Sequence, residues 1–219
     1  MIRRAAWVAV CALALVPGTA AAQDGRVEVR AGGGWLGSIP VGARPATLTG
    51  PTGLPFTLFS TETALGAAPH AVMAIGVGVA SFVDIEVRGS YGRPKLTTRI
   101  ADDAEGIGAV AVSETVHEFL VAAVAVVHPS AWRVGPRTGL FVSGGAGYMR
   151  HLHAGNGYAE GGRVYLAGGG AAVRLGGGGR LKAIGVRVDG GVAVRTGAAV
   201  LDHSTDASPL AGASLYLRF

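Results

Sequence analysis

Between Val83 and Tyr91 the chain alternates without a break. Val83, Ile85, Val87, Gly89 and Tyr91 fall on one side of a period of two, and Asp84, Glu86, Arg88 and Ser90 on the other. That period belongs to a β-strand with one apolar and one ionic face. In a soluble sheet the apolar face is buried and the ionic face is wet; in hydrocarbon the two exchange places. The pattern returns in Ile184, Val186, Val188, Gly190, Val192 and Val194, set against Arg187, Asp189, Gly191 and Arg195. It returns again at the end, where Leu217, Leu215, Ala213 and Ala211 alternate with Arg218, Tyr216, Ser214 and Gly212 before an aromatic, Phe219.

The rest of the composition decides between the two settings. Glycine supplies 37 of 219 residues and charged residues only 15%, yet after residue 22 the longest uninterrupted apolar run, Phe119 to Val127, has nine residues. A spanning helix needs about 20, whereas a tilted membrane strand needs about 9–11. The apolar residues also keep register, which disordered chains do not do. Arg3 and Arg4, the apolar run Ala5 to Val16 and Ala20-Ala21-Ala22 have the layout of a cleaved signal peptide, residues 1–22. Residues 23–219 are then expected to form one domain. Cys11, the sole cysteine, sits inside the leader after Val10, where a lipid-attachment site would have a small residue, so the mature chain carries no disulfide. Two of the 19 basic residues belong to the leader, which leaves 17 against 14 acidic ones, a mild net +3 with no basic run. Nucleic-acid binding is not implied.

Eight strands are expected: about 26–36, 71–81, 83–91, 114–128, 139–150, 163–175, 184–195 and 211–219. The connections alternate between long and short. The long ones are 37–69, 99–113, 151–162 and 196–209. The first of these holds Pro40, Pro45, Pro51, Pro55 and Pro69, a density that reads as a loop. Gly176 to Gly179 make a turn in which glycine supplies positive φ. One strand resists tidy reading: between Glu118 and Val126 both faces are mostly apolar. Aromatics gather toward the loop ends (Trp35, Tyr91, Phe119, Tyr148, Tyr165) and the turn ends (Phe82, Trp132, Phe141, Phe219), as two interfacial girdles would.

With these features in place, residues 26–219 resemble the small bacterial outer-membrane β-barrels of the OmpA-like and OmpX-like kind, although no diagnostic internal motif accompanies the likeness. The resemblance implies an all-β, eight-stranded antiparallel up-and-down transmembrane barrel in a Gram-negative cell envelope. It makes Tyr216, Leu217 and Phe219 the C-terminal assembly signal. It implies outer-membrane lipid, lipopolysaccharide and the barrel-assembly machinery as partners and a monomer; the soluble domain that larger OmpA-type proteins carry after the barrel is not expected, since the sequence stops at Phe219.

An eight-stranded lumen is just wide enough for side chains to fill. Glu28, Arg30, Asp84, Glu86, Arg88, Arg187, Asp189 and Arg195 are therefore expected to point inward and pair, so that the barrel is plugged and porin-like conductance is absent. The glycine clusters Gly32–Gly34, Gly144–Gly145, Gly168–Gly170 and Gly190–Gly191 fall at strand middles, where they let a narrow barrel curve. No cofactor or metal is implied and no enzyme is expected. His203, Ser204 and Asp206 are the catalytic candidates, a weak set because no nucleophile-elbow sequence surrounds them. His70, His117, His151 and His153 are placed near outer strand ends, with Arg150 beside the last two as a contact for anionic lipid heads. Asp102, Asp103 and Glu105 offer a loop site for divalent cations or lipopolysaccharide. The role expected is structural or surface-interactive, through the four long connections. Three readings compete with it: a rim-site lipid-modifying enzyme, a soluble periplasmic lipocalin-like barrel with Val83, Ile85 and Val87 turned inward, and a narrow channel.

Overall fold

A computed structural model describes residues 26–51, 53–106, 108–154, 158–197 and 205–219. The leader 1–22 lies outside the described residues. Twelve strands run in chain order: β1 (Val27–Leu36), β2 (Ile39–Thr49), β3 (Pro55–Leu65), β4 (Ala68–Ala80), β5 (Val83–Gly92), β6 (Lys95–Ala101), β7 (Val110–Val127), β8 (Arg133–Val134), β9 (Thr138–His153), β10 (Ala159–Gly178), β11 (Leu181–Thr196) and β12 (Thr205–Arg218). Eight of them form a closed antiparallel ring. β1 pairs with β4, β4 with β5, β5 with β7, β7 with β9, and the sequence continues through β10, β11 and β12 back to β1. This is the expected up-and-down barrel, with its first and last strands joined from Glu28↔Arg218 to Leu36↔Leu210.

The alternation fixes which way each strand faces. Ile85 and Val87 stand on the outer wall at 39% and 58% exposure, while Glu86 between them is 3% exposed in the interior. Met73, Ile75 and Val77 on β4, Val188 and Val192 on β11, and Leu215 on β12 extend the same apolar exterior. The lipocalin-like alternative required the opposite orientation and is overturned. The turn ends are tight: Ser81-Phe82 joins β4 to β5, and Gly179-Arg180 joins β10 to β11. Gly177 and Gly179 have φ of +148° and +61°, a region L side chains rarely enter.

The sheet differs most from the sequence reading beyond the loop end of the barrel. Residues 37–69 are not a loop. β2 and β3 pair along their length, β3 pairs with β6, and β6 pairs with Val110–Thr115 of β7, which makes a four-stranded sheet standing on the rim. The prolines are tolerated because of where they sit. Pro40 and Pro45 lie on β2, the edge of this sheet, with register breaks between Pro40 and Gly42 and between Ala46 and Thr47; Pro55 opens β3. Likewise the two ends of 99–113 are strand, in β6 as far as Ala101 and in β7 from Val110, and β9, β10 and β12 run further out than expected, with Pro209 inside β12. Ile39, Val41, Leu65 and Val116 form a small apolar core at the base of the extension.

The two apolar faces of β7 also find their reason. Its inner side, Leu120, Ala122, Val124 and Val126, packs in the lumen with Leu36, Phe141, Val164, Leu166 and Ala193. One sector of the barrel interior is hydrocarbon and the other is ionic. Phe141 belongs to this interior, 2% exposed, and is not a girdle residue as its sequence position suggested. Strand alternation sends it inward because Leu140 and Val142 face out. The other named aromatics are outward and exposed.

Candidate functional site: the charged lumen

Opposite signs meet across the barrel because β5 and β11 lie on facing walls and each carries charges at every second residue. Glu86 of β5 accepts from Arg30 of β1 at 2.8 Å and from Arg187 of β11 at 2.6 Å. Arg187 also lies over the Phe141 ring, 3.9 Å from its centroid, so the apolar sector supplies a cation–π partner. Nearer the turns, Arg218 donates to Glu28 from Nε at 3.0 Å and from Nη2 at 2.5 Å. Asp84 is 3.0 Å from His128, 3.5 Å from Arg26 and 3.7 Å from Arg218. Asp189 reaches Arg30 at 3.5 Å. Arg88, 8% exposed, is less well served: its nearest carboxylate oxygens are 3.6 Å away on Glu86 and 3.9 Å away on Asp189.

A second cluster sits nearer the loop end. Glu118 of β7 is fully buried and takes three donors: His70 of β4 at 2.9 Å, His151 of β9 at 2.7 Å and Arg195 of β11 at 3.0 Å. His70 Nδ1 lies 3.1 Å from the Ala68 carbonyl, which fixes its ring. Arg195 therefore belongs to this cluster and not to the Glu86 network. Sequence reasoning placed His70 and His151 at the rim; both are interior, because His70 shares strand parity with Ala74 on β4 and His151 with Met149 on β9, which face the lumen. His153 is buried as well, 3.4 Å from Glu114 and 3.8 Å from Glu160. Of the group suggested for lipid heads, only Arg150 is exposed. His117 instead joins the outer wall, 2.8 Å from the Tyr91 hydroxyl. Glu118 was missed as a site residue; its signal was a lone charge on an otherwise apolar strand face, which is where a buried carboxylate needs partners.

His203 and Ser204 lie outside the described residues, and Asp206 stands in β12 across from Arg195 in register. Asp102 accepts from Ser60 at 2.6 Å, and Asp103 accepts from the Glu105 amide at 3.0 Å. Among the described residues no three His, Cys, Asp or Glu side chains group as a metal site. At the C-terminus Tyr216 is buried in the lumen, while Leu217 and Phe219 are on the outer wall.

Between the two charge clusters lies a cavity of about 70 Å³, whose ionic lining is Arg30, Arg88, Asp189 and His70 and whose apolar lining includes Leu36, Leu120, Leu166 and Leu210.

No family model and no curated protein matches the chain. A solved structure similar to it is the outer membrane protein OprG from Pseudomonas aeruginosa, at 10% sequence identity and a TM-score of 0.49, over 89% of this chain and 96% of that one.

Proposed function

We propose that this chain is an integral outer-membrane protein, exported by a cleaved leader and folded as a monomeric barrel in contact with outer-membrane lipid and lipopolysaccharide. Its lumen is plugged by paired charges. Its role is structural or interactive, exercised through the sheet that stands on the loop end, and no catalysis is assigned to it.

The observation that carries this reading is the inversion of the sheet. Val87, Val188 and Leu215 are more than half exposed on the outer wall, while Glu86, Glu118, Arg187 and Arg195 are at most 3% exposed inside. In water that arrangement leaves a continuous apolar belt uncovered and buries ions at a large desolvation cost. In a bilayer the belt is solvated by acyl chains, and the closed ring satisfies every strand edge. The rim aromatics Trp35, Tyr91, Tyr148 and Tyr165 fit the interfacial level on one side, and Phe82, Trp132 and Phe219 on the other.

Two measurements test it. After expression with its leader in a Gram-negative host, the protein is expected in the outer-membrane fraction, with faster migration on a gel before boiling than after. Recovery as a soluble periplasmic protein overturns the placement. In planar bilayers the plugged lumen is expected to give no stable large conductance; long-lived porin-scale openings overturn the plug but not the membrane placement.

A further inference from the structure

Arg88 stands apart from the other lumen arginines. Arg30, Arg187, Arg195 and Arg218 each donate to a carboxylate at 3.0 Å or less. Arg88 Nε and Nη2 have no hydrogen-bond partner, and its side chain is 9% exposed. Arg187 also leaves nitrogens unpaired, but it holds both Glu86 and the Phe141 face. The balance of charge points the same way. Within the Glu86 network five guanidiniums (Arg26, Arg30, Arg88, Arg187, Arg218) share four carboxylates (Glu28, Asp84, Glu86, Asp189), which leaves one positive charge in excess there even with His128 neutral.

That surplus borders the cavity between the two clusters. Ser214 Oγ, buried and without a partner, borders it too. The apolar lining includes four leucines, Leu36, Leu120, Leu166 and Leu210. Water filling this space would satisfy the donors but leave the charge uncompensated and the leucines wet, whereas an anion with a short apolar tail meets both walls. A volume of about 70 Å³ holds a handful of water-sized units, which suits a chain of four or five carbons. We propose that the cavity is a binding site for a small aliphatic monocarboxylate, its carboxylate on Arg88 and Ser214 and its tail against the leucine wall. The site depends on the barrel interior and not on where the barrel resides.

The test uses the full mature chain refolded in detergent at low salt and pH 7, with butanoate, butan-1-ol and sulfate as probes, each added both before and after refolding so that slow entry is not mistaken for no site. Calorimetry or ligand-observed NMR reads binding, and heat-modifiable migration reads folding of every variant. Butanoate is expected to bind saturably, with butan-1-ol and sulfate each at least about tenfold weaker, the scale of one charge-assisted contact or of the lost tail. Arg88→Gln is expected to weaken butanoate about tenfold or more and leave butan-1-ol unchanged; Leu210→Trp, which fills the apolar end, removes binding of both. Should Arg88→Gln fail to fold, Leu210→Trp and Ser214→Ala carry the comparison, the latter with a several-fold loss. The proposal is overturned if butanoate shows no saturable binding, if butan-1-ol or sulfate binds as tightly, or if the folded variants bind butanoate as the parent does.

Discussion

Glu118 shows how much one residue holds when it sits on an apolar strand face. Its carboxylate accepts from Arg195 at 3.0 Å, and it anchors His70 and His151 at the same time. Replacing it strands a buried guanidinium, an effect worth about 3–5 kcal/mol when one partner of a buried pair is removed. Glu118→Ala is therefore expected to lower the unfolding free energy of the refolded barrel by about that amount in a urea titration, and an additional Arg195→Met change to recover much of the loss. Glu62, an exposed carboxylate on β3, makes the control: Glu62→Gln is expected to stay within about 0.5 kcal/mol of the parent.

Elements in this barrel are shaped by where glycine faces inward. Gly168 of β10 and Gly191 of β11 are cross-strand partners, and a Cβ on either would run into the backbone of the other strand. Gly147 stands in the same relation to Val121 and Ala122 of β7. These contacts are with backbone, so a neighbouring rotamer cannot relieve them, and the strands approach closely only because the side chain is missing. Gly191→Val is expected to abolish the folded gel band, while Gly89→Ala on the outer wall, where added volume meets nothing within 4 Å, leaves it intact. The rim extension behaves as a separate unit. β2 and β3 pair only with each other and with β6, so no barrel rung depends on them. Replacing residues 42–62 with a short turn is expected to preserve heat-modifiable migration and to remove only the surface sheet, checked by the loss of protease-sensitive sites outside the barrel.

The molecule as a whole is a ring with no free edge in its eight-stranded wall and with two kinds of filling. Val124, Val126, Phe141 and Val164 pack one side of the lumen, and the Glu86 network occupies the other. On the proposed reading of a plugged lumen, this division is what would close a barrel of so few charges to ions: the apolar half needs no counter-charge, and the polar half is crossed by pairs reaching from β1 and β11 to β5. Glu86→Ala is the variant expected to loosen it, since it releases Arg30 and Arg187 together. Brief low-conductance openings absent from the parent are the expected readout in planar bilayers; a variant as silent as the parent would place the barrier in the hydrocarbon half.

Local alternation alone determined the strands, their number in the ring and which face of each is ionic, because a period of two is a property of neighbouring residues and survives without knowledge of partners. It also marked Arg30, Glu86, Arg88 and Arg187 as side chains of one face. What it did not contain was who stands across from whom. Pairing of β2, β3 and β6 into a sheet over the rim, the inward turn of His70, His151 and Phe141, the Glu118 cluster and the gap beside Arg88 all depend on strand register and stagger, which join residues far apart in the chain. Pro40 and Pro45 make the point at its plainest: their local meaning is to interrupt, and only an edge position, a fact of tertiary pairing, lets them lie within a strand.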